Sequence, residues 1–413
     1  MTDVPEVRRA STGPGRDAPG LTDVRDGRPA ARSPIACADD PLCVLRAPSC
    51  PPGWTGAGRA RRADDELTAP ALLPVVALLD PGPALDRSGH VAAPVRFVDL
   101  DADVPAAVAE RAARAVADCT GVVVGVCRRG SPGGTALRLA AALDLTLAPA
   151  PAGRQTVAVP DVDAAVIAVT EAVTASPTAS AVLAGLLRWT GSLSVPAALD
   201  DESLAYSTLL GGVEFADWLA RRGPRPLPPV IADPVRVDRA GAELRITLDR
   251  PERRNAYGRQ VRDALVDALA LAELDVSVQR IVLTGAGPSF CSGGDLDEFG
   301  TAPDLATAHL VRTRAGAALP LARLADRLEV RVHGACVGAG IELPAYAGRL
   351  VSSPDAWFRL PELSMGLIPG AGGTVSIPRR IGRWRTLWLA LTQAPLDPRT
   401  ALHWGLVDAV QEW

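Results

Sequence analysis

The hydrophobic positions of this chain follow two different periods, and the changes between them divide it into four stretches. Residues 1 to 66 show neither period. Pro, Gly, Arg and Asp dominate there, which predicts an arm too poor in apolar surface to build a core. From 67 to 161, short buried runs at 95–100, 121–126 and 145–148 alternate with helical patterns at 105–118 and 135–143. Strands that alternate with helices predict parallel pairing through crossover helices. Residues 162–222 read as helical, with apolar side chains at helical spacing in 202–210 and 213–219, and a Pro-rich linker ends at 229.

The last stretch, 230–413, opens with a hairpin-like pair at 234–238 and 243–248. A helix is predicted over 257–272, where Val261, Ala264, Leu265, Ala268, Leu269 and Ala272 trace one face. A strand at 280–284, a glycine-punctuated loop to Gly300 and a long helix over 305–326 follow. That helix is expected to break at Pro320. A strand at 328–332 then leads into a glycine-rich turn. The fold class is α/β.

The second and last stretches resemble one another. Residues 130–139 lie over 334–343 without a gap, and 159–161 lie over 360–362 once three residues are skipped. Arg138 then stands where the later copy has Glu342, and Asp161 where it has Glu362. A guanidinium cannot take and return a proton as a carboxylate does. The earlier copy is expected to be degenerate and structural.

Composition narrows the function. Hydrophobic residues are 48% and charged residues 22%, enough apolar material for two buried units. The chain contains no lysine, so any phosphate contact must come from arginine, histidine or the backbone. A net charge of −4 argues against a nucleic-acid surface. The seven cysteines are odd in number and scattered, with Cys37, Cys43 and Cys50 forming no CxxC pair. His90, His309, His333 and His403 lack paired ligand spacing, so no metal is expected. No apolar run approaches the ~18 residues of a membrane span and no signal core opens the chain; the expectation is a cytoplasmic protein.

Three segments carry candidate chemistry: Ser289-Phe-Cys-Ser-Gly-Gly-Asp-Leu-Asp-Glu-Phe299, His333-Gly-Ala-Cys-Val-Gly-Ala-Gly-Ile-Glu-Leu343, and 358–374 with its Leu360-Pro-Glu362 and Gly370-Ala-Gly-Gly-Thr374. Gly293, Gly294, Gly338 and Gly340 let backbone approach a ligand closely. The start of a helix near Ala339 leaves N–H groups free for an anionic oxygen. Two such donors on separate loops suit the oxyanion of a thioester enolate. Glu342 and Glu362, if they converge, can divide acid and base work. Each element alone is weak, since glycine turns mostly serve packing and a lone glutamate is mostly a solvated surface group. The order and spacing of all three together raise the signal.

These segments, with Arg250-Pro-Glu-Arg-Arg-Asn-Ala256 and Gly405-Leu-Val-Asp408, make residues 235–408 resemble the crotonase, or enoyl-CoA hydratase/isomerase, superfamily. The resemblance implies a crotonase-type spiral of ββα units in the C-terminal half and an acyl-CoA substrate, with no cofactor beyond the coenzyme A thioester itself. It implies that the N–H groups of Gly294 and Ala339 hold the thioester oxygen. Glu362 would deliver a proton to Cα, Glu342 would orient or deprotonate water, and Gly370 N–H would hold that water. Ala256 and Leu296 match backbone positions near the adenine end of coenzyme A, and Arg254 is a phosphate partner. The implied reaction is hydration of a 2-enoyl-CoA, or its reverse, by a homo-oligomer. Double-bond isomerisation, cofactor-independent oxygenation of an aryl-acetyl-CoA (whose enzymes share a long N-terminal extension) and a non-catalytic acyl-CoA subunit remain alternatives.

Two departures stand out. The C-terminal helices usual in the family do not follow the Gly-Leu-Val-Asp segment, and residues 202–222 look like a substitute for them. Ala339 replaces the usual glycine, but only its backbone is needed. Trp384, Trp388, Trp404 and Trp413 crowd the end as core or interface.

Overall fold

The computed structural model describes residues 69–413. The expected arm over 1–66, with Cys37, Cys43 and Cys50, lies outside the described residues.

Strands β1 (Val95–Asp99), β2 (Val122–Val126), β3 (Leu145–Ala148) and β4 (Thr156–Ala158) form a parallel sheet in sequence order. Helices α1 (Ala106–Ala115) and α2 (Gly134–Ala142) connect the first three. β2 is buried at all five positions, as a parallel strand covered on both faces must be. Its side chains alternate between two cores: Val122, Val124 and Val126 join one, while Val123 joins Ala109, Ala112 and Leu139 of α1 and α2 in the other. β4 has only three residues, too few to show a period.

Four helices follow: α3 (Val162–Ala175), α4 (Pro177–Trp189), α5 (Val195–Leu210) and α6 (Val213–Arg222). Asp161 caps α3 by accepting from the Ala164 N–H, and Pro177 opens α4 at a position where its missing N–H costs nothing. Among the described residues no single helix is long and apolar enough to cross a membrane.

The C-terminal half is a six-stranded sheet in the order β12-β10-β8-β7-β6-β5. β5 (Val235–Ala240) and β6 (Glu243–Leu248) pair antiparallel as the hairpin, and the remaining neighbours are parallel. Helix α7 (Arg259–Leu274) buries Val261, Leu265, Ala268, Leu269 and Ala272. β7 (Arg280–Gly285), α8 (Leu305–Arg314), α9 (Ala318–Arg323) and β8 (Leu328–Val332) follow. The break expected at Pro320 falls earlier, at 315–317: a Cβ on Gly316 would lie 2.3 Å from the Arg312 carbonyl oxygen, and Pro320 sits in the first turn of α9, where no N–H is required. A second, two-stranded parallel pair joins β9 (Ala335–Val337) to β11 (Trp357–Arg359), around the one-turn α10 (Ala339–Glu342) and β10 (Arg349–Ser352). α11 (Gly373–Ile381), α12 (Arg383–Thr392), α13 (Pro398–Trp404) and β12 (Ala409–Val410) complete the chain.

The halves interlock. α12 packs with α3 and α4 and against β3 and β4 of the first sheet. Beside it Asp144, 1% exposed, pairs with Arg188 at 2.7 Å and Arg383 at 3.6 Å and accepts from the Val123 N–H. Arg383 also donates to the Ala141 and Ala142 carbonyls, and Trp384 Nε1 to that of Leu143. The Trp384 side chain thus sits between the halves, whereas Trp413 is half exposed.

Candidate active site

The site begins with two segments laid side by side. Cys291 N–H donates to the Ala335 carbonyl and Val337 N–H to that of Cys291, which brings the ends of both segments, Gly294 and Ala339, out together. Only glycine fits at position 340, where a Cβ would lie 2.2 Å from the Cys291 oxygen. Asn255, fully buried at φ 53°, anchors the approach: its amide donates to the carbonyls of Ala286, Ser289 and Phe290 and its oxygen accepts from Arg250 N–H. Among the described residues the N–H groups of Gly294, Ala339 and Gly370 donate to no protein atom. α10 is a single turn, so the helix dipole anticipated near Ala339 is small, and what remains is the free N–H itself.

Glu342 closes α10 and Glu362 follows β11; both are buried. They converge on Gly338. From the point where a Cβ on Gly338 would stand, Glu362 Oε1 is 2.6 Å away, Glu342 Oε1 3.7 Å and the Gly293 Cα 3.7 Å. Glu342 Oε2 accepts from the N–H groups of Ala371 (2.8 Å) and Gly373 (2.9 Å), while Glu362 Oε2 is buried and accepts no hydrogen bond among the described residues. Burial pushes the Glu362 carboxyl up to about 8. Burial first, then the facing Glu362 and Glu202, holds that of Glu342 well above the ordinary range, with its two amide donors pulling the other way.

All eight positions singled out from sequence line one cleft of about 1770 Å³: Arg254, Ala256, Gly294, Leu296, Ala339, Glu342, Glu362 and Gly370. At its mouth Arg253 is engaged by Asp295 and Asp297, and Arg222 by Asp297. The exposed Arg254 side chain makes no ion pair among the described residues.

Glu202 and Tyr206 of α5 and Trp218 and Arg222 of α6 line the cleft. The Tyr206 ring lies against Gly370, 2.3 Å from the position of a Cβ there, under the Arg312 guanidinium at 4.6 Å. Sequence reasoning missed Glu202. Its carboxylate, 2% exposed, accepts from Gly372 N–H (2.8 Å), Thr374 N–H (2.9 Å) and Thr374 Oγ1 (2.7 Å). Burial raises it to about 7 against those donors. Asn255 was also passed over as a lone polar residue inside a motif.

The sequence profile of the enoyl-CoA hydratase/isomerase family matches residues 239–412. A 2,3-dehydroadipyl-CoA hydratase of Escherichia coli strain K12 is 33% identical over 174 residues, which cover 42% of this chain and 68% of that protein. The chain belongs to the enoyl-CoA hydratase/isomerase, or crotonase, family. A second crotonase relative, the 1,2-epoxyphenylacetyl-CoA isomerase of the same strain, is 34% identical over 169 residues, 40% of this chain and 64% of that protein. This crotonase thus spans about two thirds of the length of the curated relatives it matches. Among solved structures, a carnitinyl-CoA hydratase from Mycobacterium avium is 36% identical with a TM-score of 0.39, over 44% of this chain and 69% of that one.

Proposed function

We propose that this crotonase catalyses reversible hydration of a 2-enoyl-CoA through a thioester enolate. One observation carries the reading: two buried carboxylates reach the same point beside Gly293 and Gly338, next to two main-chain N–H groups that have no acceptor among the described residues. In hydration, Glu342 takes a proton from water as its oxygen bonds to Cβ. The π electrons move onto the thioester oxygen, held by the Gly294 and Ala339 N–H groups. The enolate then takes a proton from Glu362 at Cα. Glu362, with a buried oxygen that accepts no hydrogen bond among the described residues, is the carboxyl that holds its proton and so serves as the proton donor. While Glu362 keeps its proton, repulsion on Glu342 is relieved, and two amide donors favour charge there. Arg254 would meet the phosphates of coenzyme A, and Ala256 and Leu296 its adenine end.

Glu342→Gln and Glu362→Gln are each expected to abolish turnover while acyl-CoA binding stays measurable by isothermal titration. Unchanged turnover in both overturns the reading. The Tyr206 ring against Gly370 narrows the space for water at the Gly370 N–H, and this favours double-bond isomerisation as the second reading, because it moves a proton between carbons without water. Mass spectrometry separates the two: hydration adds the mass of one water and isomerisation adds nothing.

The N-terminal half is, on the same reading, a degenerate crotonase-like unit. Supporting this, residues 145–148 and 349–352 are both strands, as are 156–158 and 357–359, at the spacing of the sequence repeat, and Gly134 and Gly338 share a φ of 50°. The strand pairing has diverged: β4 joins β3, whereas β11 joins β9.

A further inference from the structure

Residues 371–374 offer their successive N–H groups in strict alternation to two buried carboxylates. Ala371 and Gly373 donate to Glu342 Oε2; Gly372 and Thr374 donate to Glu202, one to each oxygen. The Thr374 hydroxyl adds a third bond to Glu202. Glu342 belongs to the C-terminal half and Glu202 to α5 of the N-terminal half, so the loop is gripped from both. Gly372, left-handed at φ 101°, caps the start of α11, and the N–H groups around that helix start, which no preceding helical carbonyl can accept, end on two carboxylates that need donors because burial without them is costly.

We propose that Glu202 is a positioning residue of the active site: by holding Gly372 and Thr374, it aims the Ala371 and Gly373 N–H groups at Glu342 and fixes that carboxylate where it faces Glu362. The proposal rests on the hydratase/isomerase reading for its kinetic consequence, but not for its structural one. Releasing Glu202 frees the loop to rotate, and Glu342 then loses the two donors that stabilise its charged form. The Glu202 charge also faces Glu342 and Glu362, so removing it changes how easily both give up protons.

Glu202→Gln tests this in the full chain, since it keeps the shape while placing an amide NH₂ where one oxygen accepts. Expected are a fall in kcat of at least tenfold, a KM for enoyl-CoA within threefold, and a shift of the alkaline limb of the pH–rate profile to lower pH. A Glu202 that served packing alone would leave that limb in place. Thr374→Val keeps the threonine shape and removes only the 2.7 Å hydroxyl bond; a smaller loss, about threefold in kcat, is expected from the removal of one of several bonds. Hydrogen exchange of the peptide spanning 370–374 supplies a readout that needs no activity, and Glu202→Gln is expected to speed it at least tenfold. If the wild-type chain turns over no enoyl-CoA, the parent reading fails while faster exchange still supports the role of Glu202. If exchange and pH profile are both unchanged in Glu202→Gln, the role is overturned.

Discussion

Gly338→Ala is the sharpest probe of the convergence between Glu342 and Glu362. Gly338 has φ 50° and ψ −120°, a backbone region that side-chain-bearing residues rarely occupy, and forcing an alanine into it costs about 1–3 kcal/mol. The added methyl would also stand 2.6 Å from Glu362 Oε1. Reaching even a tight 3.0 Å contact requires roughly 0.4 Å of retreat by the carboxylate, and a comfortable contact roughly twice that. Misplacing a reacting group by about 1 Å costs about 10²-fold in rate. The expected outcome is a 10- to 100-fold fall in kcat, or about 1.4–2.8 kcal/mol of barrier, with acyl-CoA affinity little changed. The melting midpoint should fall by several degrees, at about 2–4 °C per kcal/mol for a chain of this order of size. Gly241→Ala is the control: its φ is 59° and a Cβ there meets nothing within 4 Å, so it carries backbone strain alone and should leave kcat intact. A folded Gly338→Ala variant whose kcat stays within twofold of wild type would refute the reasoning, because the crowded carboxylate would then have no part in turnover.

Two further outcomes follow from the same geometry. Burial holds Glu362 up at about 8 and Glu202 at about 7 against an ordinary 4.5, so the folded chain keeps protons that the unfolded chain releases. Their contribution to stability is fully present below about pH 4.5 and is lost as pH rises through about 8; denaturant midpoints between about pH 5 and pH 8.5 should therefore decline, less steeply in Glu362→Gln, and a flat or rising wild-type trend would contradict this. Arg254→Gln removes an exposed cation that makes no ion pair among the described residues, so KM for acyl-CoA should rise about three- to tenfold with kcat unchanged, as expected for one charge-assisted contact; a KM equal to wild type in steady-state kinetics would remove Arg254 from the binding surface.

Much of the fold was legible because its signals are local. The hairpin of β5 and β6, the buried runs of β2, β3 and β8, and the stripe from Val261 to Ala272 all announce themselves within a dozen residues. β4 and β9 did not, since three residues cannot display a period and their pairing depends on partners far along the chain. The helix break at 315–317 was misplaced because proline is the louder signal, although the helix ends where Gly316 sits so near the Arg312 carbonyl that no Cβ would fit. In the site, the glycine-rich segments and both glutamates could be found by order and spacing. Glu202 could not be found that way, as it donates nothing to any motif. Its one clue was positional: it shares a helical face with Ala198 and Leu209, both buried, and a lone acid on such a face needs donors from elsewhere. The sequence does not say where those donors lie, because they sit 170 residues on.

The placement of α12 on the first sheet bears on how the molecule is made. On the ribosome, β3 and β4 leave the tunnel long before α12, the helix that packs on them, and the roof of the cleft precedes its floor. Until α12 is synthesised, Leu145, Leu147 and Val157 lack one of the helices that bury them, and apolar surface exposed in this way is prone to aggregate. Severing the linker at Gly223 would leave two fragments with matching sticky faces rather than two independent domains.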